Sequence, residues 1–253
     1  MTLAPSPVFE PSSTAQFTAP SVSLTAVTNV AGGRDVHLRD VTITYVRAGL
    51  SIVPVSGLDL YAPSSRVTAL VGRSGSGKTS VLSCIAAMLR PSAGTIWLGG
   101  IEVTSLRGKG LDAYRRHHVG VVHQTYNLIP SLNALENVTV PLALLGVGRA
   151  EARERALGLL SDVGMTGTLQ HRPHEMSGGQ QQRVAVARAL ATNPSVVVAD
   201  EPTAHLDGSS VAEVRGLLRV IADSGRTVIV STHDDRLLSS VDQTIHLAPA
   251  LER

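Results

Sequence analysis

The 253-residue chain has a single cysteine, Cys84, and only two lysines, Lys78 and Lys109. One cysteine excludes an internal disulfide and is typical of a reducing compartment. Lysine and arginine total 22 against 20 acidic residues, so charge gives no basis for a nucleic-acid partner. No apolar run reaches the roughly 18 residues of a membrane span, and the N-terminus lacks the pattern of a signal peptide. We therefore expect a cytoplasmic protein that reaches a membrane only through a partner.

The N-terminal residues 1–33 are rich in serine, threonine, proline and alanine and carry almost no charge. Such a segment buries too little apolar surface to offset the entropy of ordering, so it predicts a flexible tail. From 34 to 253, short apolar strands alternate with helical patterns. This alternation predicts an α/β domain with a mainly parallel sheet and with ligands at the carboxyl ends of the strands. Residues from about 125 to 190 are mostly helical, and we expect a helical subdomain there.

Hydrophobic periodicity gives the approximate elements. Strand patterns cover residues 36–46, 66–72, 94–100, 119–124, 195–200 and 227–232. Helical patterns run from Lys78 to about Leu89, from about 134 to 163, from 177 onward and from 209 to 225. Within 134–163 we expect interruptions near Pro141 and at 146–148, because proline and glycine disfavour helix interiors.

The stretch VGRSGSGKT has the spacing G-x-x-x-x-G-K-[ST] and lies between a predicted strand and a predicted helix. Its glycines let the backbone curl around phosphate and expose consecutive N–H groups. Lys78 is placed to reach the β- and γ-phosphates, and the Thr79 hydroxyl is placed to bind Mg²⁺. The alternative is a glycine-rich turn without a ligand. The predicted nucleotide-binding residues of this loop are Gly72, Arg73, Ser74, Gly75, Ser76, Gly77, Lys78, Thr79 and Ser80.

Three further strands end in polar side chains. Asp200 and Glu201 follow SVVVA, His233 follows TVIVST, and Gln124 ends VGVVHQ. Strand ends of a parallel sheet share one edge, so we expect Asp200 to hold the metal and Glu201 to polarise the attacking water. His233 is placed to reach a γ-phosphate, and the Gln124 amide to reach metal and water. The alternatives are that the two carboxylates cap the next helix and that His233 is structural.

The segment HEMSGGQQQRVAVARAL, residues 174–190, places Ser177, Gly178 and Gly179 immediately before an amphipathic helix. Ser177 suits an ordinary N-cap, in which its hydroxyl accepts from the first free amides. The same exposed amides and the positive helix end also suit a phosphate. This stretch alone does not decide between the two.

In this order the motifs resemble those of the ATP-binding cassette (ABC) ATPases, the motor subunits of ABC transporters, over about residues 36–247. The matching motifs are Walker A at 72–79, the glutamine loop at Gln124, the signature MSGGQ at 176–180, Walker B ending in Asp200 and Glu201, the D-loop AHLD at 204–207, and the switch His233. The resemblance implies a P-loop NTPase core with a mainly parallel sheet, an antiparallel β-subdomain and a helical subdomain. It implies ATP hydrolysis with ATP and Mg²⁺ as cofactors.

The resemblance assigns the remaining site residues. Tyr45 matches the aromatic side chain that stacks on adenine. In this family the signature loop caps ATP that is held by a second copy in a head-to-tail dimer, which favours the anion site over a simple cap. The residues that it places at the shared nucleotide are Ser177, Gly178, Gly179, Gln180 and Asp207. Met176, His123 and His205 depart from the family's usual residues.

Residues 123–146 are similar to the lipoprotein-releasing and macrolide-exporting group, which also includes a cell-division ATPase. This implies a peripheral motor on the cytoplasmic side of the membrane, bound to an integral permease of the four-helix type with a large outer domain. The alternative is an ATPase of a cell-division or cell-wall-remodelling complex without transport. DNA-repair ATPases carry a long coiled coil between these motifs, and translation-type ATPases carry two cassettes; this sequence has neither.

Overall fold

The computed structural model describes residues 33–47, 50–204, 206–248 and 251–252. Of the predicted flexible tail, only Gly33 is among these residues. His205 of the predicted D-loop also lies outside them. The strands are β1 (Val36–Arg47), β2 (Leu50–Ala62), β3 (Val67–Val71), β4 (Ala93–Leu98), β5 (Ile101–Glu102), β6 (Val119–Val122), β7 (Val196–Asp200), β8 (Thr227–Ser231), β9 (Gln243–His246) and β10 (Leu251–Glu252). The helices are α1 (Lys78–Ile85), α2 (Gly108–His118), α3 (Ala134–Leu144), α4 (Arg149–Asp162), α5 (Gly178–Leu190), α6 (Gly208–Asp223) and α7 (Asp235–Leu238).

A parallel sheet with the order β6-β7-β8-β3-β9 forms the centre of the fold. Its strands are short and rich in valine because both faces are covered, as is usual for parallel sheets. The register pairs Asp200 with Ser231 and Leu70 with Ser231. The carboxyl ends of β3, β7 and β8 therefore meet at one edge, as the sequence predicts.

An antiparallel sheet with the order β10-β2-β1-β4-β5 packs beside it. Val36, Leu38, Val41 and Ile43 of β1 are buried in one cluster with Val81 and Ile85 of α1, and the strand's alternation shifts by one residue at the irregularity between Leu38 and Val41. That cluster also holds residues of β7 and β8, so α1 lies between the two sheets. The opposite face of the parallel sheet packs against α5 and α6. The antiparallel sheet is the one that the family resemblance implies.

Helices α3, α4 and α5 lie within the predicted helical segment and share a third core cluster. Helix α3 begins at an Asn133–Glu136 capping box and runs through Pro141, so the predicted break at this proline is wrong. Within residues 134–162, the chain leaves the helical conformation only between α3 and α4, where the predicted interruption at 146–148 lies. Helix α1 ends at Ile85, before the predicted Leu89, because Ala87 adopts a left-handed φ of 54°. Within the described residues, no helix has the length and apolar character needed to cross a bilayer.

Candidate active site

A cavity of about 720 Å³ opens at the carboxyl edge of the parallel sheet. Its walls come from the antiparallel hairpin on one side and from the strand ends on the other. The lining contains thirteen of the predicted site residues: Tyr45, Gly72, Arg73, Ser74, Gly75, Gly77, Lys78, Thr79, Ser80, Gln124, Asp200, Glu201 and His233. The structure thus brings four separate sequence motifs to one cavity.

The loop between β3 and α1 forms the floor of the cavity. Gly75 and Gly77 have φ values of 83° and 86°, which side chains with a Cβ rarely adopt. A Cβ on Gly77 would also lie 2.5 Å from Val55 Cγ2, so the close approach of the hairpin requires glycine there. The Lys78 ammonium donates to the carbonyls of Gly72 (2.8 Å) and Arg73 (3.2 Å). The ammonium is therefore held inside the loop where phosphate oxygens would bind.

Asp200 is held by hydroxyl groups from two directions. The Thr79 hydroxyl donates to Asp200 Oδ2 at 2.8 Å, and the Ser231 hydroxyl donates to Oδ1. The Gln124 side chain lines the same cavity. Hydroxyl, carboxylate and amide oxygens are the ligands that Mg²⁺ prefers. The described residues contain no cluster of three His, Cys, Asp or Glu side chains, so a cation here would take further oxygens from a phosphate or water.

Glu201 adopts an unusual backbone conformation at the end of β7. Its φ is 44°, and its N–H donates to both the carbonyl (3.1 Å) and the hydroxyl (3.0 Å) of Ser231. A strained backbone persists only where neighbours hold it. Glu201 Oε1 lies 2.9 Å from Nδ1 of His233, and the Glu201 side chain is 12% exposed against 76% for His233. The fold thus holds a carboxylate at the cavity with an imidazole beside it.

The hairpin of β1 and β2 supplies the apolar wall. Tyr45 pairs with Ile52 across the hairpin, and the Tyr45 hydroxyl lies 3.0 Å from the Ser80 hydroxyl. Ile52 and Pro54 also line the cavity, although no sequence motif contains them. The signal that would have found them is the register of β2 opposite Tyr45.

Six predicted site residues lie outside the lining of the cavity: Ser76, Ser177, Gly178, Gly179, Gln180 and Asp207. The Ser177 hydroxyl accepts from the Gln180 N–H at 3.3 Å, and the Gln180 side chain accepts from the Ser177 N–H at 2.9 Å. The N-cap interpretation of Ser177 is therefore present, and Ser177 remains exposed. Asp207 caps α6, and the Ser210 N–H bond holds the pKa of this carboxyl below its usual range.

Ser76 is the one residue of the glycine-rich loop that faces away from the cavity. Its side chain is buried and lines a smaller cavity of about 270 Å³ behind the loop. A Cβ on Gly72 would lie 2.5 Å from the Ser76 hydroxyl oxygen, so Gly72 makes room for it. In this structure any contact of Ser76 with a ligand in the main cavity has to come from its backbone.

A family model described as ABC transporter matches residues 55–204. The chain belongs to the ABC transporter family. The predicted family is thereby confirmed, and the cassette is an ABC-type ATPase with the predicted fold.

Two relatives and one solved structure show how close the similarity is. The uncharacterized ABC transporter ATP-binding protein Rv2564 of Mycobacterium tuberculosis is 48% identical, with 84% of this chain and 64% of that protein covered. The chain thus spans less than two thirds of that relative. The lipoprotein-releasing system ATP-binding protein LolD of Novosphingobium aromaticivorans is 39% identical, with 84% of this chain and 95% of LolD covered.

The solved structure is a dimer of the ATP-binding cassette MJ0796 in a post-hydrolysis state bound to ADP and Pi. It matches with a TM-score of 0.78 and 36% identity, and the match covers 84% of this chain and 94% of that one. The similarity extends over the whole cassette and is not limited to the motifs.

Proposed function

We propose that this chain is the ATP-hydrolysing motor subunit of a membrane transport complex of the lipoprotein-releasing and macrolide-exporting type. The observation that carries the proposal is the convergence at one cavity of Lys78, the Thr79–Asp200 pair and the Glu201–His233 pair. These groups are, in turn, a phosphate ligand, a cation site and a candidate base beside an imidazole. A site that only binds a nucleotide, without hydrolysing it, would not need the Glu201–His233 pair.

In the proposed binding mode the glycine-rich loop and Lys78 hold the phosphates. Tyr45 stacks on the adenine, with Ile52 and Pro54 completing the apolar wall. Thr79, Asp200 and Gln124 hold Mg²⁺, which neutralises the charge on the phosphate oxygens when it is bound. With a cation bound, the Thr79 hydroxyl, which donates to Asp200 in this structure, would serve as one of its oxygen ligands.

For hydrolysis, Glu201 orients a water molecule for attack on the γ-phosphorus. Because His233 Nδ1 lies 2.9 Å from Glu201 Oε1, His233 fixes the rotamer of this carboxylate. The His233 ring is exposed, so its other nitrogen is free to approach a γ-phosphate oxygen. Positioning and electrostatic stabilisation of this kind supply most of the rate acceleration in phosphoryl transfer.

The signature loop at 176–180 completes the nucleotide site of a second copy of the chain. Ser177 is exposed at the start of α5, where free amides and the helix dipole favour an anion. The MJ0796 cassette, which matches over 94% of its length, is described as a dimer. Two copies in a head-to-tail arrangement then enclose two ATP molecules.

The proposed partner is an integral permease of the four-helix type with a large outer domain, and the proposed location is the cytoplasmic face of the membrane. The name of LolD, which is covered over 95% of its length, supports a releasing or exporting system. The alternative, signalling to cell-wall remodelling without transport, shares the same motor. A reconstituted complex that hydrolyses ATP and moves a lipoprotein or small molecule between compartments would favour transport.

The central test is Glu201→Gln. This variant keeps the shape of the side chain but cannot polarise water, so ATP binding should stay near wild type while turnover falls by about 100-fold or more. It should also trap an ATP-dependent dimer on gel filtration. Glu154→Gln, at an exposed position of α4, is the matched control and should behave as wild type. Unchanged turnover in Glu201→Gln would overturn the assignment.

A further inference from the structure

The segment that directly follows Gln124 is tied to α5 by one guanidinium group. Arg188 Nη1 donates to the Asn127 carbonyl at 2.6 Å, and Nη2 donates to the Tyr126 carbonyl at 2.8 Å. Tyr126 and Asn127 have φ values of 60° and 50°. Two consecutive left-handed residues without glycine are strained, and such a backbone persists only where other contacts hold it. The two hydrogen bonds from Arg188 are contacts of this kind.

Among the described residues, the hydrogen bonds of the Arg188 side chain go to these two carbonyls and not to a carboxylate. Burial lowers the pKa of its guanidinium. The charged group is therefore stable at this position only with strong hydrogen-bond partners. Arg183, five residues earlier on α5, instead forms an ion pair with Glu213 at 3.5 Å. The two arginines therefore have different roles on the same helix.

The Tyr126 side chain reaches the opposite end of α5. A Cβ on Gly178 would lie 3.1 Å from the Tyr126 hydroxyl oxygen, so the absence of a side chain at Gly178 lets the phenol lie over the signature loop. The ten residues between Gly178 and Arg188 span roughly 15 Å of helix. The segment after Gln124 thus contacts α5 near both of its ends.

We propose that Arg188 is a positioning residue that makes the segment after Gln124 and helix α5 move as one body. When Gln124 moves in the cavity, Ser177–Gln180 then move with it, because the helix between the two contacts is stiff. This proposal rests on the proposed function, in which Gln124 responds to the γ-phosphate. It adds the physical link between that response and the surface that closes on a second copy.

The test compares Arg188→Met, Arg188→Lys and Arg183→Met with wild type in ATP affinity of the monomer, kcat, KM and ATP-dependent dimerisation. Arg188→Met should keep monomer affinity within about threefold and lower kcat and dimerisation at least about tenfold. Arg188→Lys should recover part of kcat, because an ammonium can still donate to these carbonyls but lacks the planar fork. Arg183→Met should reduce thermal stability and leave kcat near wild type.

Wild-type kcat and dimerisation in Arg188→Met would overturn the proposal, as would equal losses of kcat in Arg188→Met and Arg183→Met. If Arg188→Met does not fold, Arg188→Lys decides: a lower kcat at unchanged ATP affinity supports the link, and a wild-type kcat overturns it. Absence of ATP hydrolysis in the wild-type chain would instead overturn the proposed function. The two failures are therefore distinguishable.

Discussion

The cavity at the sheet edge and the signature loop are both suited to anions, but they differ in how their polar groups are satisfied. In the cavity, Lys78 folds back onto the carbonyls of its own loop and Glu201 is strained. In the signature loop, the side chains of Ser177 and Gln180 each accept a hydrogen bond from the other residue's backbone N–H, which forms a capping box. Neither residue lines the cavity. The first region holds groups poised for a ligand. The second is a stable helix start that needs another surface before it can bind one.

Among substitutions that test this difference between the two regions, we expect the largest effect on ATP affinity from Lys78→Ala. Removing the ammonium takes a positive charge from two phosphates, so ATP affinity should fall by about 100-fold or more, which is roughly 2.7 kcal/mol. Equilibrium binding of a fluorescent ATP analogue measures this loss of affinity. Lys109, the other lysine of the chain, is exposed on α2, and Lys109→Ala is the matched control. Wild-type affinity in Lys78→Ala would remove the cavity from nucleotide binding.

A substitution in the other region should spare binding and block assembly. Ser177→Arg adds bulk to the exposed helix start, so monomer ATP affinity should change by less than about threefold while ATP-dependent dimerisation and turnover fall at least about tenfold. Ser177→Ala also removes the hydroxyl that caps α5, at a cost of about 1 kcal/mol of stability, but adds no bulk. It therefore controls for the loss of stability in Ser177→Arg. Gel filtration with ATP in the Glu201→Gln background reads dimerisation. If Ser177→Arg weakened monomer binding as much as Lys78→Ala, the two regions would not be separable.

The segment that joins the two regions gives a third prediction. Ile129 is 38% exposed, and its backbone is fixed by the buried Asn137 amide, so its side chain can change without moving the loop. Ile129→Glu should leave isolated ATPase activity within about twofold and lower co-purification with the permease by about tenfold. Leu144→Glu, at a site that is 70% exposed on α3, is the control. Unchanged assembly and transport would show that Ile129 does not contact the permease.

Leu128 behaves differently from its neighbour. It packs against two core clusters, so a charge there should unfold the protein rather than uncouple it. Both residues are apolar and adjacent, so the sequence alone does not distinguish them. Only the tertiary packing separates the core residue from the exposed one.

The cavity was largely predictable from the sequence because its motifs are local. The spacing of the glycine-rich loop fixes where Lys78 and Thr79 lie, and strand ends place Asp200 and Glu201. Ile52 and Pro54 escaped prediction because their position depends on the pairing of β1 with β2. Spacing also does not give side-chain direction, so the motif places Ser76 with the residues that face the cavity although its side chain lines the smaller cavity behind the loop.

The helix ends were predictable only where a cap or a breaker marks them. Ser177, Asn133 and Asp207 each accept a backbone N–H at a helix start, and the first of these was recognised. Ala87 carries no such mark, since alanine favours helix, so the sequence gives no signal for its left-handed φ of 54°. The contacts of Arg188 with Tyr126 and Asn127 join residues some sixty positions apart and have no local signature.

The smallest effect on nucleotide binding is expected far from both regions, at Asp242. This carboxylate accepts from the Val67 N–H (2.8 Å), from Arg66 (2.8 Å) and from Arg219 (2.7 Å). Burial alone would raise its pKa, but these hydrogen bonds outweigh burial and lower the pKa from 3.8 to about 2. Asp242→Asn should therefore cost about 1–3 kcal/mol of unfolding free energy at pH 7. Nucleotide affinity should not change, since Val67 begins β3 at the edge opposite the cavity.

The pH dependence of this loss has a definite sign. Because the folded-state pKa is depressed, the stabilisation is fully present above pH 3.8 and declines as pH falls towards about 2, so the difference between wild type and Asp242→Asn should shrink over that interval. Urea unfolding of both proteins at matched pH values measures the difference. Asp223→Asn removes the other carboxylate partner of Arg219, which is 64% exposed and lies 2.9 Å away, and should cost less than about 0.5 kcal/mol. Equal losses in the two variants, or a difference that grows as pH falls from 3.8 to about 2, would show that the hydrogen bonds of Asp242 do not stabilise the sheet.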